Sequence, residues 1–136
     1  MLQVKTTAPD FNLPNQAGEN ISLNQFKGSK NVVLYFYPKD DTPGCTIEAQ
    51  QFTALINNYY ANDTVVIGVS KENCASHQNF INKYELKVEL ISDVNGELCE
   101  KYGVWQEKEK NGVKKMGIVR STFIIDKEGE LVDIEY

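Results

Sequence analysis

Residues 32–37 have the sequence VVLYFY, a continuous run of apolar and aromatic side chains. A run of this kind is typical of a β-strand that is buried on both faces, as in parallel sheets. A second run, TVVIGV, occupies residues 64–69. Between the two runs, four apolar residues have the i, i+3, i+4, i+7 spacing of an amphipathic helix: Phe52, Leu55, Ile56 and Tyr59. This order predicts a βαβ unit with neighbouring parallel strands.

Shorter segments on both sides of this unit predict further strands and helices. Phe11–Leu13 and Ile21–Leu23 are strand segments separated by the turn-rich NQAGEN. After the unit, we expect a helix from about Ala75 to Tyr84 and a strand at residues 88–91. A third helix is expected to use Asp93 as its cap and to end near Tyr102.

The C-terminal part of the chain contains two turn signals. The polar stretch QEKEKNGVKK includes Asn111-Gly112, and no strand is predicted within it. Further on, STFIID and ELVDIE flank the short connection Lys127-Glu128-Gly129 and predict a β-hairpin. Together the elements predict an α/β fold with a mixed central β-sheet flanked by helices, which matches a thioredoxin-like domain.

Length and charge narrow the class of protein. A chain of 136 residues suits one domain, so we expect residues 1–136 to fold as a single unit. The net charge of −5 argues against general nucleic-acid binding. No apolar run has the length of a membrane span, and the start MLQVKTTAPDF lacks the apolar stretch of a secretory signal. A cytoplasmic location is therefore expected.

The inventory of reactive side chains is small. The three cysteines, at positions 45, 74 and 99, form neither a C-x-x-C pair nor a disulfide framework. His77 is the only histidine, which excludes a site built from several histidines. Chemistry must therefore depend on a thiol, a hydroxyl, a carboxylate, a lysine or the single arginine.

The segment PKDDTPGC, residues 38–45, follows the first buried strand and leads into the amphipathic helix. A cysteine in a first helical turn meets unpaired backbone N–H groups and the positive end of the helix dipole. Both favour the thiolate, which is the nucleophilic form of Cys45. Pro38 and the later Pro-Gly pair shape a tight loop, and Thr42 is near enough to turn its hydroxyl toward the sulfur. The alternative interpretation is a small buried cysteine beside a turn and a cap.

Two charged residues support the functional interpretation. Arg120 is the only arginine among 14 basic residues, and it precedes the apolar strand STFIID. Its planar fork of donors can bind a thiolate sulfur and an oxygen atom at the same time. Glu48, three residues after Cys45, could orient Arg120 through a salt bridge. The alternatives are a solvated arginine at a strand end and a first-turn acid that only stabilises the helix dipole.

The pattern P-x-x-x-T-x-x-C, formed by Pro38, Thr42 and Cys45, resembles the active-site signature of the peroxiredoxins. The longer string FYPKDDTPGCTIEA, with SHQNF, YGVW and RSTFIID, resembles the bacterioferritin comigratory protein group, also called peroxiredoxin Q. The resemblance extends from APDFNLPN to the last strand and so covers nearly the whole chain.

This resemblance implies a thiol-dependent peroxidase that reduces hydrogen peroxide and organic hydroperoxides through a cysteine sulfenic acid, in antioxidant defence. No metal, haem or flavin cofactor is implied. Cys45 would be the peroxidatic cysteine and Thr42 would hydrogen-bond the peroxide. Pro38 would shield the thiolate, Arg120 would stabilise thiolate and transition state, and Glu48 would orient the arginine.

The chain differs from the group that it resembles at the positions of the resolving cysteine. Relatives carry it five residues after the peroxidatic cysteine or just after the phenylalanine of the SHxxF stretch; here these positions are Gln50 and Ile81. Cys74 is then the possible resolving residue, and Cys99 is expected to pack in the core. Since neither usual position is a cysteine, we expect an external reductant: thioredoxin, glutaredoxin or a small thiol.

Three further expectations concern His77, the chain end and assembly. His77 is interpreted as structural or solvent-facing. The chain ends in a strand at Tyr136, where relatives continue into a further helix, and a second subunit could cover the sheet there. We expect a monomer or a weak dimer.

Two other functions fit the same fold. A thiol–disulfide oxidoreductase is disfavoured because C-x-x-C is absent. A chaperone-like or interaction protein on an inactive scaffold is disfavoured because Pro38, Thr42, Cys45 and Arg120 are all present.

Overall fold

The computed structural model of the protein describes residues 2–136, and strands and helices alternate in its central part. The strands are β1 (Asn12–Pro14), β2 (Asn20–Ser22), β3 (Asn31–Phe36), β4 (Thr64–Ser70), β5 (Glu89–Ser92), β6 (Trp105–Lys110), β7 (Val113–Ile118), β8 (Ser121–Ile125) and β9 (Leu131–Glu135). The helices are α1 (Pro43–Ala54), α2 (Ile56–Ala61), α3 (Cys74–Tyr84) and α4 (Glu97–Lys101), with a 3-10 helix at Leu23–Phe26.

Strand β3 lies at the centre of a five-stranded sheet whose order is β5-β4-β3-β8-β9. It pairs in parallel with β4 on one side and antiparallel with β8 on the other. Every residue from 32 to 37 is at most 5% exposed. The predicted βαβ unit with parallel strands is confirmed, and so is the C-terminal hairpin, in which β8 and β9 pair antiparallel.

Alternate side chains of β3 enter two different cores, because successive residues of a strand point to opposite faces. Val32, Leu34 and Phe36 pack with β8 and α4. Val33, Tyr35 and Tyr37 belong to the other core, which contains residues of α1, α2 and α3. Helices therefore cover both faces of a mixed sheet, as the sequence predicted.

The helix predicted through Phe52 and Tyr59 is wrong in one respect, because it is broken at Leu55. Helix α1 ends at Ala54, α2 begins at Ile56, and Leu55 is 49% exposed. The N–H of Leu55 bonds to the carbonyl of Phe52, three residues back, so the chain tightens and turns there. The apolar spacing of three and four residues continues across the break, so the sequence pattern alone did not reveal it.

The polar stretch in which no strand was predicted is in fact a β-hairpin. Strands β6 and β7 pair antiparallel around Asn111 and Gly112, whose φ angles of 54° and 78° suit the tight turn. Almost every residue of the hairpin is exposed. Neither strand therefore needs an apolar face, and the alternation that reveals half-buried strands is missing.

The cap residue of the third helix is Gly96 and not Asp93 as expected, because the helix starts later, although the Asp93 side chain still bonds to its first turn. Helix α4 begins at Glu97, and the Asp93 carboxylate accepts hydrogen bonds from the N–H groups of Leu98 (3.2 Å) and Cys99 (2.8 Å). The carboxylate thus reaches the first turn from outside the helix. None of the helices within residues 2–136 combines the length and the apolar character needed to cross a membrane.

We expect Gly68→Ala to destabilise the protein by about 1–3 kcal/mol, because it overpacks the core beneath α1. A Cβ at Gly68 would lie 2.7 Å from Tyr35 Cζ and 2.7 Å from Leu90 Cδ2, and both side chains are fully buried. Urea unfolding measures the change. The matched control is Gly117→Ala in β7, whose Cβ meets the movable Lys108 side chain at 3.0 Å. Equal stability of the two variants would contradict this account.

Candidate active site

Cys45 lies in the first turn of α1, directly after the loop that follows the central strand. Pro43 is the first residue of the helix and Thr42 precedes it as the cap residue, with extended backbone. Cys45 is only 2% exposed and belongs to the core cluster that includes Ala49 and Tyr35. The structure therefore places the thiol at the carboxyl end of β3 and at the N-terminus of a helix, as the sequence predicted.

Arg120 links the cysteine to Glu48. Its Nη2 donates a hydrogen bond to Cys45 Sγ at 3.3 Å, and its Nη1 donates to Glu48 Oε1 at 2.7 Å. A Cβ at Gly44 would lie 3.2 Å from Arg120 Nη2, so the glycine leaves room for the guanidinium beside the helix. Three of the residues singled out in the sequence are thus in direct contact, although Arg120 is 75 positions from Cys45.

Burial and charged partners have opposite effects on the pKa values of Glu48 and Arg120. Burial raises the pKa of Glu48 above its ordinary value, and the charge and hydrogen bond of Arg120 only partly oppose this. For Arg120, burial acts to lower the pKa, but the hydrogen bond and charge of Cys45, with Glu48, outweigh it and raise the pKa. The guanidinium therefore remains a fixed cation at the sulfur, and with 41% of its side chain exposed it also faces incoming molecules.

Thr42 and Pro38 line the loop before the cysteine, but one expectation about Thr42 is wrong. Its hydroxyl donates to the backbone carbonyl of Lys39 at 3.1 Å, so its proton does not point toward the sulfur. The lone pairs of the same oxygen are left to accept a hydrogen bond. Pro38 is half-buried at the start of the loop.

A buried polar cluster beside the loop was missed in the sequence. Asp40 Oδ1 accepts from the Tyr37 hydroxyl at 2.6 Å, while Oδ2 accepts from Ser76 Oγ at 2.7 Å and lies 2.8 Å from His77 Nδ1. His77 is fully buried, so its structural interpretation is confirmed and the solvent-facing one is wrong. The only signals were an acid in a tight loop and a lone histidine in a helix, and no spacing connects positions 40 and 77.

Both ring nitrogens of His77 have hydrogen-bond partners. Nε2 lies 3.1 Å from the carbonyl oxygen of Ile91, which only accepts, so Nε2 carries hydrogen. Burial alone would raise the pKa of Asp40, but hydrogen bonds from His77, Tyr37 and Ser76 lower it below its ordinary value. His77 Nδ1 lies 2.8 Å from Asp40 Oδ2 and 3.3 Å from the Tyr37 hydroxyl oxygen, so the three side chains form one hydrogen-bonded group.

The other two cysteines lie in different surroundings. Cys74 is half-buried as the first residue of α3. Cys99 is fully buried in α4, and burial together with Asp93 raises the pKa of its thiol far above the ordinary value, which confirms its packing role. Within residues 2–136, all three cysteines are free thiols, and no group of three or more His, Cys, Asp or Glu side chains is arranged to hold a metal ion.

Comparison with known protein families gives a match over residues 4–134, to the AhpC/TSA family. The chain is 48% identical over 128 residues to a relative from Coxiella burnetii, covering 94% of this chain and 84% of the relative. It is 44% identical over 131 residues to peroxiredoxin Bcp of Bacillus subtilis, covering 96% of this chain and 83% of the relative.

The fold has a solved counterpart at similar coverage. The bacterioferritin comigratory protein of Xanthomonas campestris, whose structures concern its alkyl peroxide reduction activity, superposes with a TM-score of 0.88 at 34% identity. The superposition covers 97% of this chain and 86% of the Xanthomonas chain.

Proposed function

Since the chain belongs to the AhpC/TSA family and is a thiol-dependent peroxidase of the peroxiredoxin type, we propose that Cys45 is the residue that attacks the peroxide. The family confirms the thioredoxin-like fold and the antioxidant peroxidase function that the sequence predicted. It disfavours the disulfide oxidoreductase and the inactive scaffold. The roles of individual residues are our proposal.

The contact between Arg120 and the Cys45 sulfur is the observation that carries this assignment. A guanidinium that touches the sulfur at 3.3 Å stabilises the thiolate, and the bond to Glu48 fixes its orientation in advance. Neither Cys74 nor Cys99 has an arginine partner among the hydrogen bonds of residues 2–136. Cys45 is therefore the cysteine best prepared to act as a nucleophile.

In the first step, the Cys45 thiolate attacks the terminal oxygen of a hydroperoxide ROOH. A sulfur–oxygen bond forms as the oxygen–oxygen bond breaks, which gives the sulfenic acid and RO⁻, and RO⁻ then takes a proton from water. Negative charge moves from sulfur to the departing oxygen during this step. Because Arg120 has several donors in one plane and its cation is already in place, it can follow that charge without reorganisation.

The loop supplies the remaining contacts in this proposal. The oxygen of Thr42, whose own proton is held by the carbonyl of Lys39, accepts a hydrogen bond from the O–H of the peroxide and aligns it for attack. Pro38, half-buried beside the loop, shields the thiolate from water. Glu48 acts through Arg120.

Hydrogen peroxide and organic hydroperoxides are the proposed substrates, and a thiol is the proposed reductant. The first thiol attacks the sulfenic sulfur, releases water and forms a mixed disulfide; a second thiol releases Cys45 and leaves as a disulfide. Thioredoxin, glutaredoxin or a small thiol suits this role.

We further propose one domain over residues 1–136, a monomer or weak dimer, and a cytoplasmic location without nucleic-acid or membrane partners.

We expect Cys45→Ser to abolish hydrogen peroxide consumption with dithiothreitol as reductant, because the hydroxyl of serine is a far weaker nucleophile than a thiolate. Circular dichroism should show an unchanged fold. Cys74→Ser is the matched control and should still be oxidised at Cys45. Substantial turnover by Cys45→Ser would refute the assignment.

Arg120→Lys should slow the reaction of Cys45 with hydrogen peroxide by at least about tenfold, since a point charge cannot contact the sulfur, Glu48 and the departing oxygen together. Stopped-flow kinetics under second-order conditions measure this rate. Lys127→Arg, a change of the same kind at a distant ion pair with Asp63, is the control. An unchanged rate in Arg120→Lys would show that the arginine is only structural.

One equivalent of peroxide, added without thiol, should leave one added oxygen on the Cys45 peptide. Gln50 and Ile81 occupy the positions where the resembling group carries a resolving cysteine, and Cys99 is fully buried. A disulfide needs its two Cα atoms within about 7 Å, whereas Cys45 and Cys74 are free thiols on two different helices, α1 and α3. Mass spectrometry of the intact protein and its peptides measures the product. Quantitative loss of two hydrogens, with a peptide joining Cys45 to Cys74, would instead establish an internal resolving cysteine.

A further inference from the structure

A buried carboxylate fastens residues 38–42, which we call the catalytic loop, to α3. Asp40 lies midway between Pro38, which is proposed to shield the thiolate, and Thr42, which is proposed to contact the peroxide. It is 7% exposed, while most of the surrounding loop is open to solvent. The one side chain of the loop that points into the protein is therefore charged, and it needs partners there.

Those partners come from two elements, helix α3 and the end of the central strand. His77 and Ser76 reach Asp40 from the first turns of α3, and the Tyr37 hydroxyl reaches it from the end of the central strand. The backbone N–H of Asp40 also donates to Glu72 Oε1 at 3.3 Å, just before α3. The titratable groups facing the Asp40–His77 pair are thus Tyr37 and Glu72.

This pairing is rigid because each of its atoms is constrained. His77 is held at its far side by the carbonyl of Ile91 in β5, so its ring cannot rotate without losing a bond. Both carboxylate oxygens of Asp40 are occupied at 2.6–2.8 Å. Breaking such a buried pair leaves an uncompensated polar group and is costly, so the loop has little freedom to shift.

We propose that Asp40 and His77 are positioning residues that hold Thr42 and Pro38 in place over Cys45, an inference that rests on the proposed function of Cys45. Asp40 precedes Thr42 by two residues, and the Thr42 hydroxyl bonds to Lys39, which precedes Asp40. Movement at Asp40 therefore moves the Thr42 oxygen. A displacement of about 1 Å at a reacting centre lowers rates by as much as about 100-fold.

Two reactions of the same sulfur distinguish positioning from a general structural role. Attack on peroxide needs the aligned loop, whereas alkylation by iodoacetamide needs only an accessible thiolate. We expect Asp40→Asn to slow oxidation of Cys45 by hydrogen peroxide at least about tenfold and to leave the alkylation rate within about twofold of the wild type. The double variant Asp40→Asn/His77→Gln should be no slower than Asp40→Asn, because the two side chains act through one contact.

The matched control is Asp63→Asn, which removes an exposed carboxylate paired with Lys127 and Lys30. Asp63 precedes β4, and β4 runs parallel to β3, so it lies at the opposite end of the sheet from Cys45. Both rates should be unchanged in this variant. If Asp40→Asn does not fold, the pair Tyr37→Phe and Ser76→Ala removes two donors to Asp40 and should slow oxidation at least about threefold with alkylation unchanged.

Each result has one interpretation. An unchanged peroxide rate in folded Asp40→Asn, or in the Tyr37→Phe/Ser76→Ala variant, overturns the positioning role and leaves the proposed function intact. An equal loss of both rates also overturns it, because the thiolate itself would then be affected. A wild-type protein whose Cys45 is not oxidised by peroxide overturns the proposed function instead.

Discussion

The antiparallel pairing of β3 with β8 is the constraint on which the site depends. Its register places Phe36, the last residue of β3, opposite Ser121, the first residue of β8. The chain therefore leaves β3 toward the catalytic loop at the point where Arg120 is about to enter β8. Cys45 and Arg120 meet because the backbone hydrogen bonds of two central strands bring their ends together, and a shift of register by one residue would move Arg120 away from the sulfur and reverse the faces of β8.

The three side chains that meet where these strand ends come together are buried to different degrees. Cys45 is almost fully buried and Glu48 is largely buried, whereas Arg120 keeps a large exposed fraction. An arginine with one end fixed by a carboxylate and the other end open can contact the sulfur and a reactant at once. Burial raises the pKa of Glu48, yet its 2.7 Å bond to Arg120 shows that the pair is joined in the folded protein.

The catalytic loop is held from two sides. Arg120 contacts the helix that follows the loop, and the Asp40–His77 pair fixes the loop itself to α3. An additional exposed link joins Asp41 to Lys83 and Tyr84 at the other end of α3. The buried contact is the one expected to determine the position of the loop, since exposed ion pairs contribute little. Helix α3 thus supports the loop through Ser76 and His77.

The features that depend on local pattern were predictable from the amino-acid sequence. The βαβ unit followed from two buried strands and an apolar spacing, the C-terminal hairpin from two strands around a short turn, and the candidate nucleophile from the position of Cys45 after a strand and at the start of a helix. Residue type also identified Arg120, because one arginine among lysines is informative without any structure.

Contacts between distant segments were not predictable in this way. The break at Leu55 exposes a side chain that the apolar spacing had assigned to the buried face, and strands β6 and β7 bury almost no side chains, so no apolar pattern in the sequence reveals either feature. The pairing of Asp40 with His77 depends on how α3 packs against the end of β3. Local periodicity reports which face of an element is buried, but which buried polar groups meet is set by strand register and helix packing, and these exist only once the chain has folded.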